Sequence, residues 1–462
     1  MQTTLIVPVE NQVREFDAKL LLACAAAERG FRVVIGSLRY IEFLAPHLPR
    51  GIYLAKSMTP IGQQMLRWIH ALGHNVVAWD EESLVRYDAP DYPHWRFSPR
   101  AFRLMDHLFA WGQDDAELFA QYEGYHGAPI HATGNPRTDL LRPELREYFR
   151  PQVDELKDRH GDFILINTNF AFVNHFTAHK NLWQGAGNGE GGRGVAKIGR
   201  GMSAEFACGQ SQHVQALFNA FKALLPVLSA SFPDHNIVLR PHPSENHQTW
   251  REFERAYANV RVIHEGNVAP WLMASKVLIH NGCTTAVEAA VLGRPVVSYQ
   301  PVRAAQHDYH LPNALGHTAC SAHEVSDLVA AVLAGELGPI DDAERRRLFE
   351  RHLASAEGAL AVDRVMDVLE QAAHSRQAPA RSATAWALAN GRTLIKMVKA
   401  QWPGSGSSSR YHLQRFPMIT TEQVRERIAR FSRLLGRFEG VAVKACAPFT
   451  FRIDGPRSSV SG

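Results

Sequence analysis

Four groups of polar residues stand directly after short apolar runs, where an α/β chain turns from strand into loop. The first is Glu10, Arg14, Glu15, Asp17 and Lys19, five charged groups close together in sequence. Helix starts attract acids to their unpaired N–H groups, so this group is either a solvated helix face or a set of catalytic and acceptor-binding charges. The second is Asp80-Glu81-Glu82, directly after Trp79. Three adjacent carboxylates in a cleft repel one another, which predicts a raised pKa on at least one and a role as general base or nucleophile. Asp80 and Glu81, with Glu10 and Asp17, are the candidate catalytic carboxylates, and Arg14 and Lys19 the cations of the same cleft. In a solvated loop the three acids would carry no function.

The third group is Arg240-Pro-His242-Pro-Ser244-Glu-Asn246. Its prolines pin the backbone beyond a strand end and hold Arg240 and His242 to meet an anion. The fourth, Asn167-Thr-Asn169 with Asn174 and His175, offers amides that suit sugar hydroxyls or a base. His175 and His179 have helical spacing but lack the glutamate of HExxH and a third ligand, so no metal site is expected. Neither a GxSxG elbow nor a GxxxxGK[ST] loop occurs, which removes the commonest hydrolase and NTPase readings.

The stretch LIHNGCTTAVEAAVLGRPVVSY, residues 278–299, combines all the parts of an anion site. A strand over 276–279 leads to a polar turn at 280–284, a helix over 285–292, a stop at Gly293 and a strand over 295–299. The turn sets N–H groups and hydroxyls at a helix N-terminus, where the unpaired amides and the dipole favour a phosphate. Asn281, Gly282, Thr284 and Thr285 are its candidate ligands, and Glu288, one helical turn on, suits ribose hydroxyls. An ordinary capped helix in an α/β domain has the same pattern. Cys283 lies in the turn with nothing local to make it a nucleophile.

The elements that must position these groups alternate strand with helix. Apolar runs at TTLIVPV, FRVVIG, GIYLAKS, NVVAW, HLFAWG and PIHATG fill residues 1–155, and FILIN, 236–240, 260–264, 276–279 and 295–299 fill residues 156–340. Such alternation predicts two parallel, doubly wound sheets, in which ligands bind outside the carboxyl ends of the strands. Thr133-Gly-Asn-Pro-Arg-Thr-Asp139 reads as the approach to a hinge. Residues 341–462 read as a helical, basic extension: 376–462 hold 15 Lys and Arg against 4 Asp and Glu, a balance of +11 in a chain of net charge +4. Within it lie a Gly/Ser linker at 403–409 and a last helix over 421–438, announced by Thr420-Thr421-Glu422-Gln423.

A chain of 462 residues exceeds what one core supports, and 45% hydrophobic with 21% charged residues is the balance of a globular enzyme. No run of ~20 apolar residues is evident and the chain enters a strand at once, so a cytoplasmic protein is expected. Five cysteines without CxxC spacing indicate neither disulfides nor zinc. Residues 187–192 match GxGxxG but neither follow a strand nor open a helix, so they read as part of a loop over 184–201.

Together PVENQVREFDAKLLLA, WDEESL, TGNPRTDLLRPELR, ILINTNFA, VLRPHPSE and LIHNGCTTAVEAAVLGRPVVSY resemble the bacterial surface carbohydrate (surface polysaccharide) biosynthesis proteins, over about residues 3–335. That family is similar to GT-B enzymes that transfer Kdo or related acidic sugars from CMP-activated donors. The resemblance implies two Rossmann-like domains facing a cleft, with the donor nucleotide on the second and the acceptor, a glycan or lipid-linked glycan, on the first. Asp80-Glu81 resembles the acidic [DE]-[DE]-G motif and His242-Pro243 the motif that holds the CMP phosphate; Ser83 stands near where the family pattern has glycine. A carboxylate would act as base if configuration inverts, or as nucleophile if it is retained, without a metal and with no other cofactor. No nucleic-acid partner is expected.

In the tail, Trp386, Leu388, Leu394, Ile395, Met397, Val398 and Trp402, and a last helix with Arg425, Arg427, Arg430, Arg433 and Arg437, suit peripheral attachment to an anionic leaflet. The same apolar groups could instead pack back on the two domains. A nucleotide-sugar 2-epimerase and a non-catalytic glycan-assembly scaffold are the alternative functions.

Overall fold

The computed structural model describes residues 2–184, 194–195, 199, 201–375, 382–400 and 409–456. The chain divides into two compact units. Domain one comprises 1–83, 96–148 and 350–462, and domain two comprises 84–95 and 149–349.

Domain one is built on strands β1 (Thr4–Val9), β2 (Arg32–Ser37), β3 (Gly51–Ala55), β4 (Asn75–Ala78), β5 (His107–Ala110) and β6 (Ile130–Ala132), all parallel. Every residue of β1, β3 and β4 is buried, as expected of a parallel sheet covered on both faces. The helix Gln12–Glu28 buries Leu20, Leu21, Leu22 and the small Ala23 to Ala27 run against this sheet. Domain two carries β7 (Phe163–Asn167), a short hairpin of β8 (Trp183–Gln184) and β9 (Gly194–Val195), then β10 (Asn236–Arg240), β11 (Val260–Val262), β12 (Val277–His280), β13 (Val296–Tyr299) and β14 (His317–Ala319). Its six-stranded sheet has the order β11-β10-β7-β12-β13-β14, all parallel. The chain leaves β7 towards β10 and returns on the other side to β12. That reversal is the switch point at which open α/β sheets bind ligands.

The carboxyl-terminal segment differs from the helical extension expected of residues 341–462. Residues 350–462 cluster with domain one, and strands β15 (Ala442–Ala447) and β16 (Thr450–Asp454) form a hairpin that extends its sheet antiparallel to β2. Gly36 makes this possible, because a Cβ there would lie 2.3 Å from the Phe449 carbonyl oxygen. The last helix, Thr421–Leu435, has the expected capping box at Thr420 and Gln423, yet buries Val424, Ile428 and Phe431 in domain one. Phe431 stacks on Tyr148 at 4.6 Å between ring centres. This helix is a folding element, and its inner face is not offered to a membrane. The TGNPRTD run also belongs to domain one: buried Asp139 accepts the amides of Ala361 and Val362 at 2.8 and 3.0 Å, at the start of helix Ala361–Ser375.

Among the described residues one helix, Ala204–Ser231, reaches by length and mean hydropathy what a membrane span needs, contrary to the sequence expectation that no stretch does. Its Val214, Leu217, Phe218, Phe221, Leu224 and Leu228 are packed in the core of domain two. The GxGxxG at 187–192, the linker at 403–408 and the side chains of Met397, Val398 and Trp402 lie outside the described residues.

Candidate active site

In domain one the strand-end charges neutralise one another. The helix Gln12–Glu28 points Lys19 inward, where its Nζ meets Glu15 Oε2 at 2.7 Å, Glu81 Oε1 at 3.1 Å and the Pro8 carbonyl at 3.0 Å. Glu15 also accepts the amides of Glu10 and Asn11, which explains how that helix starts without a capping side chain at Asn11. Glu10 pairs with Lys56 and Arg415, Arg14 with Glu82, and Asp17 with Arg427 of the last helix. Asp80 is fully buried and chelated by the Arg96 guanidinium through both oxygens.

At Glu81 and Glu82 the shift runs opposite to the rise expected of adjacent acids. Burial alone would raise Glu81, but Lys19, Arg137 and Arg14 outweigh it and hold the carboxyl below its usual range. At Glu82, half-exposed on its side chain, the cost of partial burial is outweighed by Arg14 and Arg96, which bring the carboxyl down to about 2. Repulsion among the acids is cancelled by at least as many cations brought in from other elements. Of the four carboxylates named from sequence, Glu81 keeps one oxygen, Oε2, buried and without a hydrogen bond.

In domain two the segments following β7, β10, β12 and β13 enclose a cavity of about 170 Å3. Three residues expected at the site line it: Asn169, His242 and Asn281. Asn281 Oδ1 accepts the Asn169 amide at 3.0 Å, joining the loops after β7 and β12. Gly282, at φ +86°, lets the turn pass beneath Tyr309, whose ring a Cβ would approach to 2.8 Å. Thr284, Thr285 and Glu288 sit on the helix Thr284–Val291 and do not line the cavity; Cys283 Sγ and Thr285 Oγ1 contact each other at 2.6 Å, and burial pushes the thiol up to about 11.

Arg240 departs from its expected role. Its guanidinium bonds the carbonyls of Glu265 and Gly266 at 2.8 and 3.4 Å and lies 4.7 Å over the Trp271 ring, outside the cavity lining. Burial lowers its pKa to about 10. His175 is also engaged locally, accepting the Thr177 amide at Nδ1, and burial with Lys180 and His179 lowers its pKa. Among the described residues no cluster of His, Cys, Asp or Glu could hold a metal ion. Asn167 closes β7 with a buried Oδ1 that has no partner.

Sequence reasoning missed the residues that organise this site. Glu245, 2% exposed, accepts from Thr168 Oγ1 at 2.7 Å, the Phe170 amide at 3.0 Å, the His242 amide at 3.1 Å and Trp250 Nε1 at 2.9 Å. One buried carboxylate thus fixes the loops after β7 and β10 together. Its signal was present, an acid two residues after the second proline of the RPHPSE run. Gln210, His213, His307 and Asp308 also line the cavity, with His213 Nε2 donating to Asp308 Oδ1 at 2.8 Å.

No protein-family model matches the chain, and no curated protein matches it in sequence. Solved structures do. A putative UDP-N-acetylglucosamine 2-epimerase from Listeria monocytogenes aligns at 14% identity and TM-score 0.50, over 83% of this chain and 99% of that one. The wall teichoic acid polymerase TagF aligns at 11% identity and TM-score 0.48, over 80% and 88%. Anabaena Alr3699/HepE in complex with UDP and glucose aligns at 11% and 0.39, over 81% and 100%. At such identities the likeness is one of fold. With two parallel sheets of the Rossmann type, this chain has the GT-B fold.

Proposed function

We propose that the protein is a glycosyltransferase of surface polysaccharide biosynthesis that takes a sugar from a nucleotide-activated donor and passes it to a glycan or lipid-linked glycan. The observation that carries this reading is the domain-two cavity at the carboxyl ends of parallel strands, where His242, Asn281 and Asn169 converge. The phosphate lies against His242 and the turn at 280–285, helped by the N-terminus of helix Thr284–Val291. Resemblance to the CMP-sugar enzymes makes CMP the favoured nucleotide and Kdo or a related acidic sugar the favoured cargo. Glu81, ionised and with Oε2 unbonded, is the carboxylate assigned to the chemistry.

Calorimetric titration with CMP, UDP and GDP tests the reading. At least one should bind, CMP tightest, and His242→Ala should weaken it about tenfold, roughly 1.4 kcal/mol. Unchanged affinity in a folded His242→Ala variant removes the phosphate assignment. A nucleotide-sugar 2-epimerase is the second reading, supported by the fold shared with the Listeria protein. Release of free nucleotide with transfer to an acceptor, against interconversion of two nucleotide sugars, separates the two.

We place the enzyme at an anionic membrane surface through helix Ala383–Ala400, which turns Ala385 and Ala389 inward and leaves Leu388, Leu394 and Ile395 about 60% exposed. Co-sedimentation with anionic but not neutral liposomes at low salt, reversed as salt rises, is the expected outcome.

A further inference from the structure

Strand β13 ends in a short relay that sets two amides on the domain-two cavity. Ser298, fully buried near the end of β13, gives its hydroxyl proton to Asn313 Oδ1 at 3.0 Å and accepts from Gln300 Nε2 at 2.9 Å. Gln300 follows the strand directly and Asn313 stands on helix His310–Ala314; both side chains line the cavity. Ser298 lies opposite His280 in the β12–β13 pairing, which places Gln300 one strand over from the turn at 280–285. Both amides therefore share one cavity with Asn281 and His242.

The relay decides what these amides have left to offer. The Ser298 hydroxyl carries one proton, and among the described residues its bonds are to these two amides. One amide must turn its oxygen to that proton and the other its NH2 group to the hydroxyl oxygen. The atoms left over are one NH2 and one carbonyl, here Asn313 Nδ2 and Gln300 Oε1, and turning both amides over only exchanges the two roles. Neither atom is bonded or fully enclosed among the described residues, and both residues are partly exposed, so a molecule in the cavity reaches them. Tying both side chains to one buried hydroxyl also orders them in advance, so less freedom is lost when a ligand arrives.

Resting on the nucleotide-sugar reading above, we propose that Gln300 and Asn313, held by Ser298, form a subsite that reads an amide-like edge on the group attached to the phosphate at His242. Such an edge sets an N–H or NH2 donor beside a carbonyl or ring-nitrogen acceptor, and it needs one acceptor and one donor facing it side by side. The relay leaves that pair. The polar edge of a pyrimidine base and the acetamido group of an N-acetylated sugar share this chemistry. Each also has an apolar part, ring face or methyl, for the wall that Phe172, Val214 and Leu217 give the same cavity. Hydroxyls have no need of a fixed donor and a fixed acceptor, since each both gives and accepts.

The test compares Gln300→Met, Asn313→Leu and Ser298→Ala with the unaltered protein in calorimetric titrations of CMP, CMP-N-acetylneuraminate, UDP, UDP-glucose and UDP-N-acetylglucosamine, after circular dichroism confirms that each variant is folded. Gln300→Met and Asn313→Leu should each lose about three- to tenfold in affinity, one hydrogen bond's worth. Gln300→Met, at a partly exposed position, decides alone if Asn313→Leu does not fold. Equal loss for all the probes assigns the edge to the base; loss confined to the two acetamido-bearing probes assigns it to the sugar. Ser298→Ala keeps both amides but frees them, and should lose less than either of the other two. Full affinity for every probe in both Gln300→Met and Asn313→Leu overturns the subsite, as does a loss for UDP-glucose that UDP does not share, or a loss in Ser298→Ala as large as in Gln300→Met. Failure of every probe to bind the unaltered protein overturns the nucleotide reading and the subsite with it, whereas binding that both amide variants keep overturns the subsite alone.

Discussion

The two domains treat polar groups at their strand ends in opposite ways. Domain one gathers charges and matches them: Lys19 with Glu15 and Glu81, Arg14 with Glu82, Arg96 with Asp80, Lys56 with Glu10. Domain two instead brings mostly neutral side chains from several loops, Asn169, His242, Asn281 and Asn313 among them, onto one cavity. A dense run of charge in sequence is thus weak evidence for a site, because folding brings counter-charges to it from elsewhere. Polar side chains from several loops converging on one cavity are stronger evidence, because the cavity gives a ligand somewhere to sit.

If domain one's cluster is chiefly structural, breaking it should show first in stability. Lys19→Met leaves Glu15 and Glu81 buried without their cation, and removing one partner of a buried pair costs about 3–5 kcal/mol. Urea unfolding should reveal this as a midpoint shift; a change under ~1 kcal/mol would mean the cluster is solvated and the contrast with domain two is false. The next largest effect belongs to domain two. Glu245→Gln replaces one acceptor oxygen of a five-donor hub by an NH2 group, expected to cost about 1–3 kcal/mol. Because His242 hangs from that hub, CMP or UDP affinity should fall with stability, whereas Lys19→Met should leave nucleotide affinity unchanged.

The domains should also differ in the direction of their pH response. Burial raises Asp139 in domain one from 3.8 to about 7, so the folded state keeps a proton that the unfolded chain loses, and this contribution to stability declines as pH rises from ~4 to ~7. Burial lowers His280 in domain two from 6.5 to about 3, and its contribution is lost as pH falls through that interval. Each slope is at most about 1.4 kcal/mol per pH unit. Asp139→Asn should therefore make stability rise more steeply between pH 4 and 6.5, and His280→Gln should flatten it. Urea midpoints collected across this range decide; identical profiles for the two variants would remove the contrast.

How much of this was legible follows the range of the forces involved. The strand and helix alternation was readable because short apolar runs and glycine stops act locally, and eleven of the twelve parallel strands among the described residues lie where those runs stand, the exception being the short His317–Ala319 strand. The β15–β16 hairpin carries a period-two signal, Val443 against Lys444 and Phe451 and Ile453 against Arg452, but its partner β2 lies some 400 residues earlier, and nothing local announces that pairing. Of the cavity lining, Asn169, His242 and Asn281 could be picked out in sequence because each stands within two residues of a strand end. Gln210 and His213 were not, because polar residues on a helix read as its wet face until a cavity is found beside them. Arg240 misled for the complementary reason: the motif placed it at a strand end, but two carbonyls and Trp271 claim its guanidinium.

The smallest effect is expected at the edge of domain one's cluster, and it sharpens the comparison by showing where that network ends. Arg14 and Glu82 are bonded to each other, but their side chains remain 33% and 48% exposed, so water screens the pair and competes for both partners. Exposed pairs of this kind contribute ~0–1 kcal/mol, less as salt rises. Arg14→Gln should therefore shift the urea midpoint several times less than Lys19→Met does, and the shift should shrink further in 0.5 M NaCl. Burial marks the difference, since Lys19 is 3% exposed on its side chain and its two acids cannot turn to water when it is removed. A loss at Arg14 as large as at Lys19, and insensitive to salt, would show that the exposed end is as tightly coupled as the buried one. The charges at this strand end would then form one rigid unit, and Glu81 would have little freedom to serve a substrate.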